Sequence, residues 1–257
     1  DQANDRFRES RYTLESPRHR RAEVFFRCYD DAIALRYELP ASDKAAPVTI
    51  TNEATSFRLE GRPTAWVQYL EHYQTSHEHT VVATPYPDIR AGALLDMPLT
   101  LSWADGTCAA ITEASLRQYA GMALMRPPGE PIGDELVCRL TPRPDGTKVV
   151  RPLPLQTPWR VVLIGDRPGA LLESETIYCL NEPSVIQDVS WIKPGKVAWD
   201  WYNANNVYGV NFKSGINTET YKYYIDFASK YGIEYIILDE GWYKLGNLLD
   251  VVPEMNI

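Results

Sequence analysis

The chain has 257 residues, 44% of them hydrophobic, and carries 26 Lys and Arg against 34 Asp and Glu, a formal net charge of −8. That length accommodates one or two domains with sizeable cores. The acidic balance, with no basic cluster beyond Arg18, Arg20 and Arg21, argues against a phosphate-tracking surface and so against a nucleic-acid partner. No apolar stretch approaches the ~18 residues that a membrane span requires. The opening Asp1-Gln2-Ala3-Asn4-Asp5 is polar and lacks Met, a basic segment and an apolar segment, as expected of a processed or excerpted protein.

Extended segments dominate the first two thirds. Ala22 to Tyr29 and Ala32 to Leu39 flank Asp30-Asp31, which reads as a tight hairpin turn. Further strands are predicted at Val48 to Thr51, Val81 to Thr84, Leu99 to Trp103, Ala109 to Glu113 and Trp159 to Ile164, with turns at Asp105-Gly106 and Asp145-Gly146. Short strands at this spacing, with most of the 19 prolines in the loops between them, predict a large antiparallel sandwich.

The pattern changes near residue 190. Val197 to Trp201 is a strand candidate, Asn217 is placed to cap a helix, and Tyr221, Tyr224, Ile225 and Ala228 recur at helical spacing as a core-facing stripe. Gly232 sits where a helix-ending glycine belongs, and Ile233 to Leu238 forms an apolar strand running into Asp239-Glu240-Gly241-Trp242. One β-α-β unit results, and it reads as the opening of an α/β barrel whose later strands are absent.

The four cysteines, Cys28, Cys108, Cys138 and Cys179, occur singly, which excludes a thiolate zinc knuckle. They read as buried small hydrophobes, with two disulfides the alternative in an exported chain. The aromatic class, 16 Tyr and 7 Trp against 6 Phe, favours rings with a polar handle, which suit half-wet sites that stack on sugars.

In a parallel barrel the C-terminal strand ends face the active site, which selects Trp199, Asp200 and Trp201 on one strand and Asp239, Glu240 and Trp242 on the next as substrate-binding candidates. Carboxylates beside an indole supply hydroxyl acceptors next to a stacking plane. The competing reading makes them ordinary strand-end turn formers. In His77-Glu78-His79, strand alternation would put both imidazoles on one face, but two ligands are not a site, and His19 and His72 are the only other histidines. By spacing alone Glu78 reads as a solvated loop residue, with a hard-cation ligand as the alternative, and Glu53 is equally ambiguous. No G-x-S-x-G, P-loop or G-x-G-x-x-G occurs, which removes the usual support for serine hydrolase, nucleotidase and dinucleotide readings.

Several segments together resemble glycoside hydrolase family 97: Phe26 to Tyr37, Thr157 to Val161, Leu180-Asn181-Glu182-Pro183, the Tyr231 to Trp242 strand and, above all, the run Ser190 to Trp201. The resemblance spans roughly residues 20–257. It implies an N-terminal β-super-sandwich over residues 1–185, followed over 186–257 by a linker and the first β-α-β of an incomplete (β/α)8 barrel. It further implies a fragment of a calcium-dependent, exo-acting α-glucosidase or α-galactosidase acting on terminal α-linked sugars of an oligosaccharide substrate, in a periplasmic or secreted location. Glu78 looks like the counterpart of the one calcium ligand that the sandwich contributes. The Ser76-His77 before it departs from the aromatic expected there, which keeps Glu53 as the alternative. The catalytic carboxylates and the other ligands belong to later strands, so the separation that decides stereochemistry, roughly 5 Å for retention against about 6.5–9.5 Å for inversion, is not legible here. A non-catalytic carbohydrate-binding sandwich is the rival from another class, and a purely structural domain a third.

Overall fold

The computed structural model describes residues 3–17, 20–41, 46–129, 135–247 and 249–250. Arg18 and His19 lie outside the described residues. Contacts divide the chain into two compact units, Asp1–Pro183 and Ser184–Ile257.

The first unit is mainly β. Among the described residues, eight strands run across the large sheet in the order Arg8–Glu15, Arg21–Cys28, Ala32–Leu39, Trp159–Gly165, Cys108–Ala114, Leu99–Ser102, Thr64–Val67 and Val82–Pro85, and Leu155–Gln156 pairs beside Ala32–Leu39 as a ninth. A second sheet runs Ser56–Arg58, Glu135–Leu140, Met122–Met125, Leu94–Leu95 and Tyr69–Leu70. All these pairings are antiparallel.

Alternation along the strands explains why the sheets stack. In Cys108–Ala114, Ala109 and Ile111 join Leu99, Leu101, Ala65 and Val67 against Leu95, Leu124, Leu136 and Leu140 of the second sheet. The opposite residues, Ala110 and Ala114, join Trp159, Val161 and Leu163 in a second cluster with Leu180, which the short helices Pro168–Glu173 and Thr176–Cys179 cover through Leu171 and Ile177. Each fully buried leucine contributes about 1.5–3 kcal/mol, so the sandwich rests chiefly on these two layers.

The predicted hairpin forms, with Glu23 opposite Glu38, Cys28 opposite Ile33, and the Tyr29 amide donating to the Ala32 carbonyl at 2.8 Å. The predicted strands at Val48–Ile50, Val82–Pro85, Leu99–Ser102, Cys108–Ala114 and Trp159–Gly165 are all present within a residue or two. The edge strand Arg8–Glu15 was not expected. Every one of its residues is exposed, and charged side chains, Arg11 on Glu23 and Glu9 on Arg27, blunt the edge against further pairing.

In the second unit, strand Val197–Trp199 pairs in parallel with Tyr235–Ile237, and helix Thr218–Tyr231 joins them. The Asn217 side chain accepts the Thr220 amide at 3.0 Å, and Gly232 ends the helix with φ +67°, a left-handed conformation that costs glycine little. Two expectations need correction. Asp200 and Trp201 do not extend the strand: Asp200–Asn203 is a 3-10 turn, because left-handed Ala204 and Asn205 fold the chain back and the Asn205 amide bonds the Asp200 carbonyl at 2.9 Å. Of the predicted core stripe, Tyr221 and Ala228 are buried but Ile225 is 50% exposed, since two strands cover too narrow a face to reach it. Among the described residues, no helix is long and apolar enough to cross a membrane.

Candidate functional site

The parallel pair brings the ends of its two strands together, and with them Trp199, Asp200, Asp239 and Glu240. The Trp199 indole Nε1 donates to Asp239 Oδ2 at 2.8 Å, and the Glu240 amide donates to Asp239 Oδ1 at 2.7 Å. Each carboxylate oxygen of Asp239 is thus oriented by one donor and retains acceptor capacity on its other lone pair. An open groove of about 600 Å³ runs over this end, lined by Trp199, Ile237, Asp239, Glu240, Trp242 and Tyr243. Trp242 and Tyr243 meet edge to face with centroids 5.0 Å apart, adding aromatic surface beside the acids.

Asp200 differs from its neighbours. It is 1% exposed, and its oxygens point inward: Oδ2 accepts from Tyr221 Oη at 2.6 Å and Asn205 Nδ2 at 3.3 Å, while Oδ1 takes the Asp239 amide at 3.4 Å. Burial, and then the bond to Asp200, push the Tyr221 hydroxyl well above its usual pKa, so it stays a donor. Asp200 therefore anchors the strand end from below, with both oxygens turned to the interior. Trp201, 55% exposed on the 3-10 turn, does not line the groove. Of the six predicted substrate contacts, the structure gathers Trp199, Asp239, Glu240 and Trp242 and sets Asp200 and Trp201 apart. Tyr221 and Asn205 were missed as functional partners, although a tyrosine on a core-facing helical stripe signals a hydroxyl in need of an acceptor.

A larger cavity, about 660 Å³, lies against the helix between Val197, Tyr223, Tyr224, Phe227, Ile233 and Ile237. No carboxylate lines it, so it offers burial and not chemistry.

Glu78 stands exposed in a loop, as its spacing suggests, so strand alternation of His77 and His79 does not arise. His77 adopts φ +59°, with its Nδ1 2.8 Å from Asp96 Oδ2, and Gln68 Nε2 bonds both the His77 carbonyl (2.9 Å) and Asp96 (2.7 Å). Glu53 is buried in the sandwich. It accepts Arg160 Nε at 2.8 Å and Nη2 at 2.6 Å, with Thr55 and Tyr119 hydroxyls on the same two oxygens. Burial pushes its carboxyl up, but Arg160 outweighs this and holds it below the usual range. With both oxygens occupied, Glu53 has no vertex to give a cation. A calcium ion takes about six to eight oxygen ligands, and among the described residues no three His, Cys, Asp or Glu side chains gather. The described residues do not form a calcium site by themselves.

Residues 1–183 match the family model described as Glycosyl-hydrolase 97 N-terminal, and residues 199–257 match the model Glycoside hydrolase 97. A "Retaining alpha-galactosidase" of Bacteroides thetaiotaomicron is 33% identical over 265 residues, covering 91% of this chain and 39% of that protein. A "Probable retaining alpha-galactosidase" of Streptomyces bingchenggensis is 29% identical, covering 93% and 34% respectively. Among solved structures, a glycoside hydrolase family 97 enzyme from Pseudoalteromonas sp. strain K8 in complex with acarbose superposes with a TM-score of 0.76 at 31% identity, over 89% of this chain and 34% of that one. A beta-arabinopyranosidase at 22% identity and a TM-score of 0.74 shares the fold. The chain spans little more than a third of the curated relatives it matches, 39% and 34% of their lengths. With a family model matched in each of its two units, this chain belongs to glycoside hydrolase family 97.

Proposed function

We propose that this chain is the sandwich and the opening of the catalytic domain of a larger exo-acting α-glycosidase, an α-galactosidase or α-glucosidase, and that its part in the reaction is to hold the sugar. The observation that carries this is the Trp199–Asp239 pair at the strand end: an indole N–H and a backbone amide fix a carboxylate whose remaining lone pairs face an aromatic-lined groove. Adjacent sugar hydroxyls would donate to such a carboxylate while a ring face packs on the indole.

Hydrolysis itself needs two carboxyl groups on opposite sides of the scissile bond. Asp239 and Glu240 are consecutive residues at one strand end and cannot flank a bond, so in this reading the acid and its partner lie outside the described residues. Names of the relatives favour the galactoside. Of the sandwich carboxylates Glu53 and Glu78, Glu53 is taken by Arg160 and Glu78 is exposed, so Glu78 is the one that would serve a calcium ion, the remaining ligands coming from elsewhere.

Asp239→Asn in the full-length protein tests the proposal. Asparagine keeps one oxygen, enough for the Trp199 indole or the Glu240 amide but not for both, and because the groove is open the other donor turns to water, so the melting temperature should fall by no more than a few degrees. Losing hydrogen bonds to a charged acceptor, worth about 1.5–3 kcal/mol each, should lower kcat/KM by roughly 10- to 100-fold. A large stability loss with unchanged kinetics would overturn the assignment.

A further inference from the structure

Helix Thr218–Tyr231, seated by its Asn217 cap, presents Tyr221 to the interior, where it is 4% exposed. Its hydroxyl makes the shortest of the three bonds on the Asp200 carboxylate, 2.6 Å against 3.3 Å from Asn205 and 3.4 Å from the Asp239 amide. The connection continues without a gap: helix hydroxyl, buried carboxylate on the first strand end, backbone amide on the second, and then the Asp239 side chain under the Trp199 indole. A buried carboxylate with three donors is confined to one rotamer, and its removal from that rotamer would leave polar groups unpaired in the interior. The amide at the far end belongs to the residue whose side chain enters the groove. A small rotation at Asp200 is thereby passed to the acceptor, and displacement on the order of 1 Å is enough to degrade a hydrogen-bonding site.

We infer that Tyr221 is a positioning residue for the sugar site, holding Asp239 in place through Asp200. This rests on the reading of the Trp199–Asp239 end as the place where substrate hydroxyls bind. Phenylalanine would fill the same space on the helix, so the hydroxyl is the part under test.

The test is a double-mutant cycle in the full-length protein, with kcat and KM measured on p-nitrophenyl α-galactoside and α-glucoside and melting temperature recorded for every variant. Tyr221→Phe should raise KM three- to tenfold and leave kcat within twofold. In an Asp239→Asn background the same change should move KM by less than twofold, because the group it positions is already gone. Asp200→Asn, which keeps the volume, should follow the same pattern and stands in if Tyr221→Phe fails to fold. An equal KM loss in both backgrounds would overturn the inference by showing that Tyr221 affects KM independently of Asp239. A silent Tyr221→Phe beside a damaging Asp239→Asn would overturn it too, while leaving the sugar site standing. A silent Asp239→Asn would instead remove the site, and the positioning role with it.

Discussion

Arg160 sits 1% exposed between Glu53, which it grips with two nitrogens, and Glu113, which takes Nη1. One cation therefore serves one buried and one partly buried carboxylate. Burial raises the Glu113 carboxyl, and Arg160 only partly offsets it, whereas Glu53 ends below its usual value. The two carboxyls thus respond oppositely to acid. Glu53, depressed in the folded state, stabilises the fold above its unfolded pKa of about 4.3, and that contribution is lost as pH falls through its folded value. Glu113, raised in the folded state, gives a gain on acidification that opposes part of this loss. Glu53→Gln should cost about 3 kcal/mol at pH 7, because half the charge facing a buried guanidinium disappears. Glu113→Gln should cost under about 1 kcal/mol, since Glu53 still holds Arg160. Urea titrations at pH 7 and pH 4 check both, and the Glu53→Gln variant should show the shallower fall with acid. Little of this was legible in the sequence. The short segment Asn52-Glu53-Ala54-Thr55 reads equally well as a cation ligand, and the partner that decides lies 107 residues away.

At the scale of elements, legibility followed local patterning. The hairpin around Asp30-Asp31 and the helix between Asn217 and Gly232 carry their own turn, cap and periodicity signals, and both form where those signals place them. Strands Arg8–Glu15 and Tyr69–Leu70 carry little: the first is exposed along its length with only Tyr12 and Leu14 apolar, and the second is two residues long. Pairing with a neighbour, not intrinsic pattern, makes them strands. Trp201 fell off its predicted strand because the Asp200 side chain is satisfied inward and the left-handed Ala204–Asn205 turn follows at once. The helix signals also predict energies. Asn217→Ala should destabilise the second unit by about 1 kcal/mol, and Gly232→Ala, forced into φ +67°, by about 1–2 kcal/mol. Faster amide exchange at Thr220 in the first variant and a lower melting temperature in both are the observations to seek.

For the whole molecule, the antiparallel sandwich was legible because inward and outward residues alternate on strands such as Cys108–Ala114. The family was legible through segments that fall inside the matched residues, such as Phe26 to Tyr37, Thr157 to Val161 and Tyr231 to Trp242. The substrate was not: no motif in these residues separates a glucoside from a galactoside. The second unit leaves Val197, Ile225, Phe227 and Ile237 between 43% and 50% exposed, an apolar surface that suits further packing partners. The proposed division of labour gives this chain the positioning of the sugar and gives carboxyl groups outside it the cleavage of the bond. The most direct measurement compares the full-length protein with residues 1–257 alone on p-nitrophenyl α-galactoside and α-glucoside, with and without calcium. The account predicts turnover by the full-length protein and none above buffer background by residues 1–257. Turnover by residues 1–257 that is abolished by Glu240→Gln would contradict it, placing the catalytic carboxylate at the very strand end assigned here to binding.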